Sequence, residues 1–175
     1  MVHKVSRLAT IVTSMCLISN VAAMGFEPMT ATIRVSSGSL YDYVVIGEYP
    51  KATDVYDNAY DTISPGNLNA DMGQPFISVI IRHPDWKPAM RELRGDIRSL
   101  AKRQEWQLTI SSSLAKGTPL TIALEPDRTT LPKGMSLTLR DPVKKVETNL
   151  SAESHTITAP GQGLSSRLVI IVEQP

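Results

Sequence analysis

Three stretches of this chain alternate apolar and polar residues at every second position, and that period makes the β-strand its unit of structure. From Glu105 to Ser111, Trp106, Leu108 and Ile110 point one way while Glu105, Gln107 and Thr109 point the other. Leu120, Ile122 and Leu124 alternate with Thr121 and Ala123; Met135, Leu137 and Leu139 alternate with Ser136, Thr138 and Arg140. Each stretch therefore has one buried and one solvated face. Leu131-Pro132-Lys133-Gly134 supplies the turn between the last two.

Shorter apolar runs on either side extend the pattern. Thr30 to Val35 and Tyr41 to Gly47 read as a hairpin joined through Ser36-Ser37-Gly38-Ser39. Pro75 to Arg82, with Phe76, Val79, Ile80 and Ile81, is a strand buried on at least one face, whereas Val143 to Thr148 and His155 to Thr158 are weaker ones. Leu168-Val169-Ile170-Ile171-Val172 is apolar on both faces, which suits a central strand or one facing a second layer. The Gly, Pro, Asn, Asp and Ser between these runs are the punctuation of an all-β domain, and the count predicts a two-layer antiparallel β-sandwich of eight or nine strands. One segment is open: Met90, Leu93, Ile97, Leu100 and Ala101 fall at helical spacing, yet Gly95 would cost a helix interior about 1 kcal/mol.

The first residues predict where the domain works. Lys4 and Arg7 precede an apolar run from Leu8 to Ile18 and then Val21-Ala22-Ala23, the pattern of a secretory signal peptide cleaved after Ala23. Thr10, Thr13 and Ser14 interrupt the run and Ser19-Asn20 closes it early, so it is too short to span a bilayer. Cys16 lies within the run, not at its end where a lipidated cysteine would begin the mature chain. Cleavage removes the only cysteine, so residues 24–29 as linker and 30–175 as domain must be stable without a disulfide. Two of the 18 Lys and Arg leave with the leader and all 17 Asp and Glu stay. The near-neutral balance gives nucleic acid or an anionic membrane no electrostatic hold, and no later stretch is long enough for membrane insertion.

A polar loop from Glu48 to Gln74 interrupts the strands with Pro50, Pro65, Gly66 and Gly73. Loops of this length in compact domains are usually functional or partly disordered, so candidate site residues are sought here. Asp54, Asp57 and Asp61 concentrate the hard oxygen ligands that Ca²⁺ takes, although the spacing lacks the Gly and Glu positions of an EF-hand. The alternative is a solvated loop whose Asp side chains cap their own turns. Tyr56 and Tyr60, four apart, are either lids on the core or a platform on which a sugar ring could stack. Trp86 and Trp106 read as core anchors, and the adhesion-type tripeptide Arg94-Gly95-Asp96 as a chance match near the start of a strand. Gly161-Gln162-Gly163 precedes a strand, not a helix, so a phosphate cradle fails. Past the leader the histidines are His83 and His155, at no zinc-like spacing, and no serine sits in a nucleophile elbow. These residues assign no catalytic role and no cofactor other than calcium.

The order Ala52-Thr53-Asp54-Val55-Tyr56-Asp57-Asn58-Ala59-Tyr60-Asp61, Pro65, Trp86, Leu93-Arg94-Gly95-Asp96-Ile97-Arg98, Trp106, Leu131-Pro132-Lys133-Gly134 and Leu137-Thr138-Leu139-Arg140-Asp141 resembles a known domain. It is the Ig-like β-sandwich found at the C-termini of bacterial secreted and surface proteins that carry fibronectin-type-III repeats or sorting signals. The resemblance runs from Thr30 onward and implies that Asp96-Ile97-Arg98 is extended. Together these features predict an exported, non-enzymatic structural or protein-interaction module, periplasmic, cell-surface or extracellular. Its partner would be another envelope or extracellular protein, met through sheet edges and the final apolar strand. The alternative is a calcium- or carbohydrate-binding module using the Asp- and Tyr-rich loop.

Overall fold

The computed structural model describes residues 25–86 and 92–175. The expected signal peptide, residues 1–23 with Cys16, lies outside the described residues, as do positions 87–91 of the segment whose helical spacing was ambiguous. Eleven strands run through the described residues: β1 (Met29–Ser37), β2 (Leu40–Glu48), β3 (Thr62–Ile63), β4 (Ile77–Arg82), β5 (Glu92–Arg98), β6 (Arg103–Ser112), β7 (Pro119–Leu124), β8 (Ser136–Asp141), β9 (Val146–Asn149), β10 (His155–Thr158) and β11 (Ser165–Glu173). A single helical turn, α1 (Leu68–Asp71), interrupts the long loop. No helix among them is long and apolar enough to cross a membrane.

The all-β class follows the alternation, but the strands do not divide into two antiparallel layers. They form one continuous mixed sheet in the order β10-β7-β1-β2-β5-β4-β6-β11-β8-β9, nearly closed into a barrel. Local periodicity fixes that a segment is a strand, not which neighbour it takes or in which direction. The departure from an antiparallel sheet is the parallel pairing of β2 with β5, Val45 opposite Gly95 through Glu48 opposite Arg98. A parallel pair needs a long crossover, and the polar loop, β3, α1 and β4 lie between these two strands.

The closure has a specific chemistry. The two outermost strands, β9 and β10, are consecutive in sequence, and buried Thr148 Oγ1 on one lies 2.8 Å from His155 Nδ1 on the other. Elsewhere β5 passes from β4, through Leu93 and Glu92, to β2. Beside that transition the Asp42 carboxylate accepts from the Val79 backbone N–H at 2.9 Å and from Arg94 Nη1 at 2.5 Å, so a side chain takes the place of a ladder bond.

Inside the sheet the alternating apolar residues make one core. Ile33, Ile46, Ile81, Trp106, Leu108 and Ile122 are all fully buried. The last strand is central: β11 pairs with β6 from Ser165 to Glu173 on one edge and with β8 on the other. Two turns depart from expectation. The β1–β2 hairpin closes over only Gly38 and Ser39, with Gly38 at φ 57, as tight hairpins require. Val143 and Lys144 are not strand; their backbone N–H groups donate to Asp141 Oδ1 and Lys145 takes φ 56, so β9 begins only at Val146.

The ambiguous segment is extended where it is described, since Glu92–Arg98 is β5. Gly95 has a packing reason there. A Cβ at that position would come within 3.2 Å of Thr62 Oγ1 on β3, so the glycine lets a second strand approach.

Candidate functional site

The loop after β2 is held in place by its own polar residues. Tyr49 N–H donates to Arg98 O at 2.8 Å and continues the parallel pairing past the strand end. Asp57 then builds a local turn: its Oδ1 accepts from Ala59 N–H at 2.9 Å and its carbonyl accepts from Tyr60 and Asp61 N–H. Asp61 spans outwards from this turn, with Oδ2 accepting from Asp57 N–H at 2.7 Å and Oδ1 from Ile97 N–H of β5 at 3.0 Å. Asp54 Oδ1 accepts from Ser99 Oγ at 2.8 Å. Each of the three carboxylates considered for calcium is thus engaged by protein donors, and no group of three His, Cys, Asp or Glu side chains converges among the described residues.

The two loop tyrosines separate. Tyr56 packs against the core, while Tyr60 pairs with Tyr49, ring centroids 5.4 Å apart and planes tilted by 36°. These two rings line a mostly apolar cleft of about 370 Å³ together with Pro28, Met29, Ile97 and Glu48. Tyr49 lies at the start of the same polar loop, and its pairing with Tyr60, eleven residues further on, leaves no mark in the spacing.

Beside this cleft Glu48 is almost completely buried. Its Oε2 accepts from Gln174 Nε2 at 2.7 Å and its Oε1 from Ala101 N–H at 3.2 Å; Gln174 in turn accepts from Glu27 N–H at 2.8 Å. The carboxylate thereby joins Gln174 to Ala101, and the Gln174 amide in turn ties the chain at residue 27. Burial pushes the Glu48 carboxyl above the ordinary glutamate range, opposed by those hydrogen bonds. Burial also raises Asp61, against the backbone donors Asp57 and Ile97, with nearby Asp96 adding to the rise. Both groups hold their protons to a higher pH in the folded chain than in the unfolded one, so their contribution to stability is full below the unfolded pKa and is lost as pH rises through the folded value. Half-buried Glu105, held low by its hydrogen bond from Arg103, has the opposite sign and loses its contribution only below the ordinary glutamate range. The melting midpoint should therefore rise as pH is lowered from 7 towards about 5, and Glu48→Gln should flatten the rise, measured by calorimetry. A midpoint that falls steadily over this range would contradict the assignment.

Behind the loop lies a buried charged centre. Asp96 Oδ2, 1% exposed, is 2.6 Å from His83 Nε2 and 3.1 Å from Arg98 Nη2. Arg98 also donates to Glu105 O at 2.9 Å and sits 5.0 Å from the centre of the Trp106 ring. Trp86 stacks on His83, centroids 3.8 Å apart and planes within 10°. A histidine on a buried carboxylate is the geometry of a general base, but this one shares its carboxylate oxygen with an arginine and bonds no hydroxyl or thiol nucleophile among the described residues. The tripeptide Arg94-Gly95-Asp96 is absorbed into the same region in mid-strand: Arg94 holds Asp42, Gly95 faces Thr62 and Asp96 is buried. Nothing in it is presented for adhesion. His83 just after β4 and Asp96 on β5 are thirteen residues apart, and no spacing in the sequence reveals that they meet.

Comparison with protein-family models, with curated proteins and with solved structures finds no match to this chain.

The remaining feature of the loop is what it exposes. Val55, Ile63, Leu68 and Met72 are 61%, 45%, 74% and 64% exposed. The α1 turn buries none of its residues, yet it is well fastened: Asn67 caps it by accepting from Asn69 and Ala70 N–H and donates from Nδ2 to Ile77 O at 2.9 Å.

Proposed function

We propose that this chain is an exported, non-enzymatic protein-interaction module of the bacterial cell envelope or extracellular space, and that it docks through the loop between β2 and β4. The observation that carries this reading is the capped α1 turn with Leu68 and Met72 four residues apart on one side, both largely in water. Ordering a turn costs conformational entropy, and holding two large apolar side chains in solvent forgoes their burial. The Asn67 cap offsets the first cost, but the second is not recovered within the chain, whereas a partner surface would bury both side chains without first having to order the turn. Exposed Val55 and Ile63 extend the apolar character of the same loop.

Export is supported by the leader pattern, and an envelope setting by the likeness to Ig-like domains of bacterial surface proteins. Strand addition along the apolar part of the final strand is disfavoured, because β11 is laddered to β6 along its whole length and to β8 from Val169 to Glu173. The loop takes that role instead. Affinity purification of the tagged mature chain from envelope fractions should return a stable partner that the double variant Leu68→Asp/Met72→Asp fails to retain, with its melting midpoint within about 2 °C of wild type because neither side chain is buried. Undiminished capture by the double variant would remove the loop from the interface.

A further inference from the structure

A second surface, on the outer face of β1, β2 and β7, has a different chemistry. Arg34 and Ser36 on β1, Tyr41 and Tyr43 on β2 and Ala123 on β7 form the floor of a groove of about 850 Å³, with Glu125, Asp127 and Arg128 as its lip. The lip is fixed to the floor: Glu125 N–H donates to Thr32 O at 2.9 Å, and buried Thr32 donates from Oγ1 to Arg128 O at 3.0 Å. The groove is therefore preformed.

Its polar groups are arranged and still available. The Arg34 guanidinium lies 4.1 Å from the centre of the Tyr41 ring, and that of Arg128 lies 5.8 Å from the centre of Tyr43. Glu125 stands between the two arginines at 3.5 and 3.8 Å, beyond good hydrogen-bond distance. Among the described residues neither guanidinium donates a hydrogen bond, whereas Arg94 nearby donates from Nη1 to Asp42 and to the Tyr43 carbonyl. Tyr41 keeps 55% of its surface in water.

We propose that this groove binds a neutral saccharide. A sugar ring offers an apolar face that stacks on an aromatic side chain, and adjacent hydroxyls that donate and accept at the same time. The groove matches both properties, with the face of the Tyr41 ring that Arg34 leaves uncovered as the stacking surface, Arg34 and Arg128 as planar donors and Glu125 and Asp127 as acceptors. The mixture of signs decides against a simple anion. A phosphate or carboxylate would gain from the two arginines but meet two carboxylates at the same lip, whereas a hydroxyl pair can use both. The groove shares no residue with the docking loop, so this inference stands or falls independently of the protein-interaction reading.

Amide NMR titration of the mature chain tests it, with chitotetraose, cellotetraose, maltotetraose and mannotetraose as neutral probes and tetragalacturonate and inorganic phosphate as anionic ones. At least one neutral tetrasaccharide should bind saturably, shifting the signals of Arg34, Tyr41 and Arg128. Tyr41→Ala should weaken that binding about tenfold or more, as loss of a stacking ring does. Arg128→Ala, at a largely exposed position, should weaken it too, while Tyr60→Ala in the separate Tyr49–Tyr60 cleft leaves it unchanged. Thermal melting verifies that each variant is folded. Binding of none of the neutral probes, binding of the anionic probes alone, or neutral binding indifferent to Tyr41→Ala would each overturn the proposal.

Discussion

Replacing Asp96 by Ala should destabilise the fold by about 3–5 kcal/mol, the cost of removing one partner from a buried ion pair. The carboxylate is 1% exposed and accepts from both Nε and Nη2 of Arg98, whose own side chain is 13% exposed, and it lies 2.6 Å from the His83 ring. Without Asp96 the guanidinium keeps its bond to the Glu105 carbonyl but loses its counter-charge, and the His83 ring loses its carboxylate contact. Asp96→Asn retains an acceptor of the same shape and should cost markedly less. Urea denaturation of the two variants measures the difference, and equal, small losses for both would mean that the centre is hydrated and contributes little.

Trp106→Ala should be comparably severe, about 3–5 kcal/mol, because the ring is fully buried at the middle of β6 and its removal leaves a cavity that surrounding strands cannot collapse into. Trp106→Phe should cost under about 1.5 kcal/mol. The indole Nε1 has no hydrogen-bond partner among the described residues, so the smaller ring sacrifices packing volume but no polar contact. Because Arg98 touches both Asp96 and Trp106, the effects of Asp96→Ala and Trp106→Ala should not add. Additive losses would mean that Arg98 does not couple the charged centre to the core.

The alternation that predicts strands at 105–111, 120–124 and 135–140 corresponds to β6, β7 and β8, because burial of one face imposes a period of two whatever the partner. Architecture was less legible. The parallel β2–β5 pair and the two-residue strand β3 depend on contacts between distant segments, and the residues involved carry no local mark. Gly95 illustrates the limit: in sequence it argues against a helix, and only the approach of Thr62 explains why it is glycine. In the long loop the reading of Asp side chains capping their own turns holds for Asp57, whose Oδ1 accepts from Ala59 N–H, but the reach of Asp61 to β5 was not visible. Asp57 and Asp61 organise the chain by accepting from backbone N–H groups, and which N–H each reaches is decided by the packing of the loop across β5. Leu68 and Met72 drew no attention in sequence because two isolated apolar residues in a polar loop look unremarkable until a capped turn sets them side by side.

The reading of this chain as an interaction module rests on the α1 turn, and a photo-reactive amino acid placed at position 68 of the exported protein in living cells tests it most directly. Irradiation should yield a discrete covalent adduct with one envelope or extracellular protein, abolished by Met72→Asp and absent when the photo-reactive residue is moved to exposed Glu147 on β9. Absence of any adduct from position 68, or the same adduct from position 147, would contradict docking through this loop.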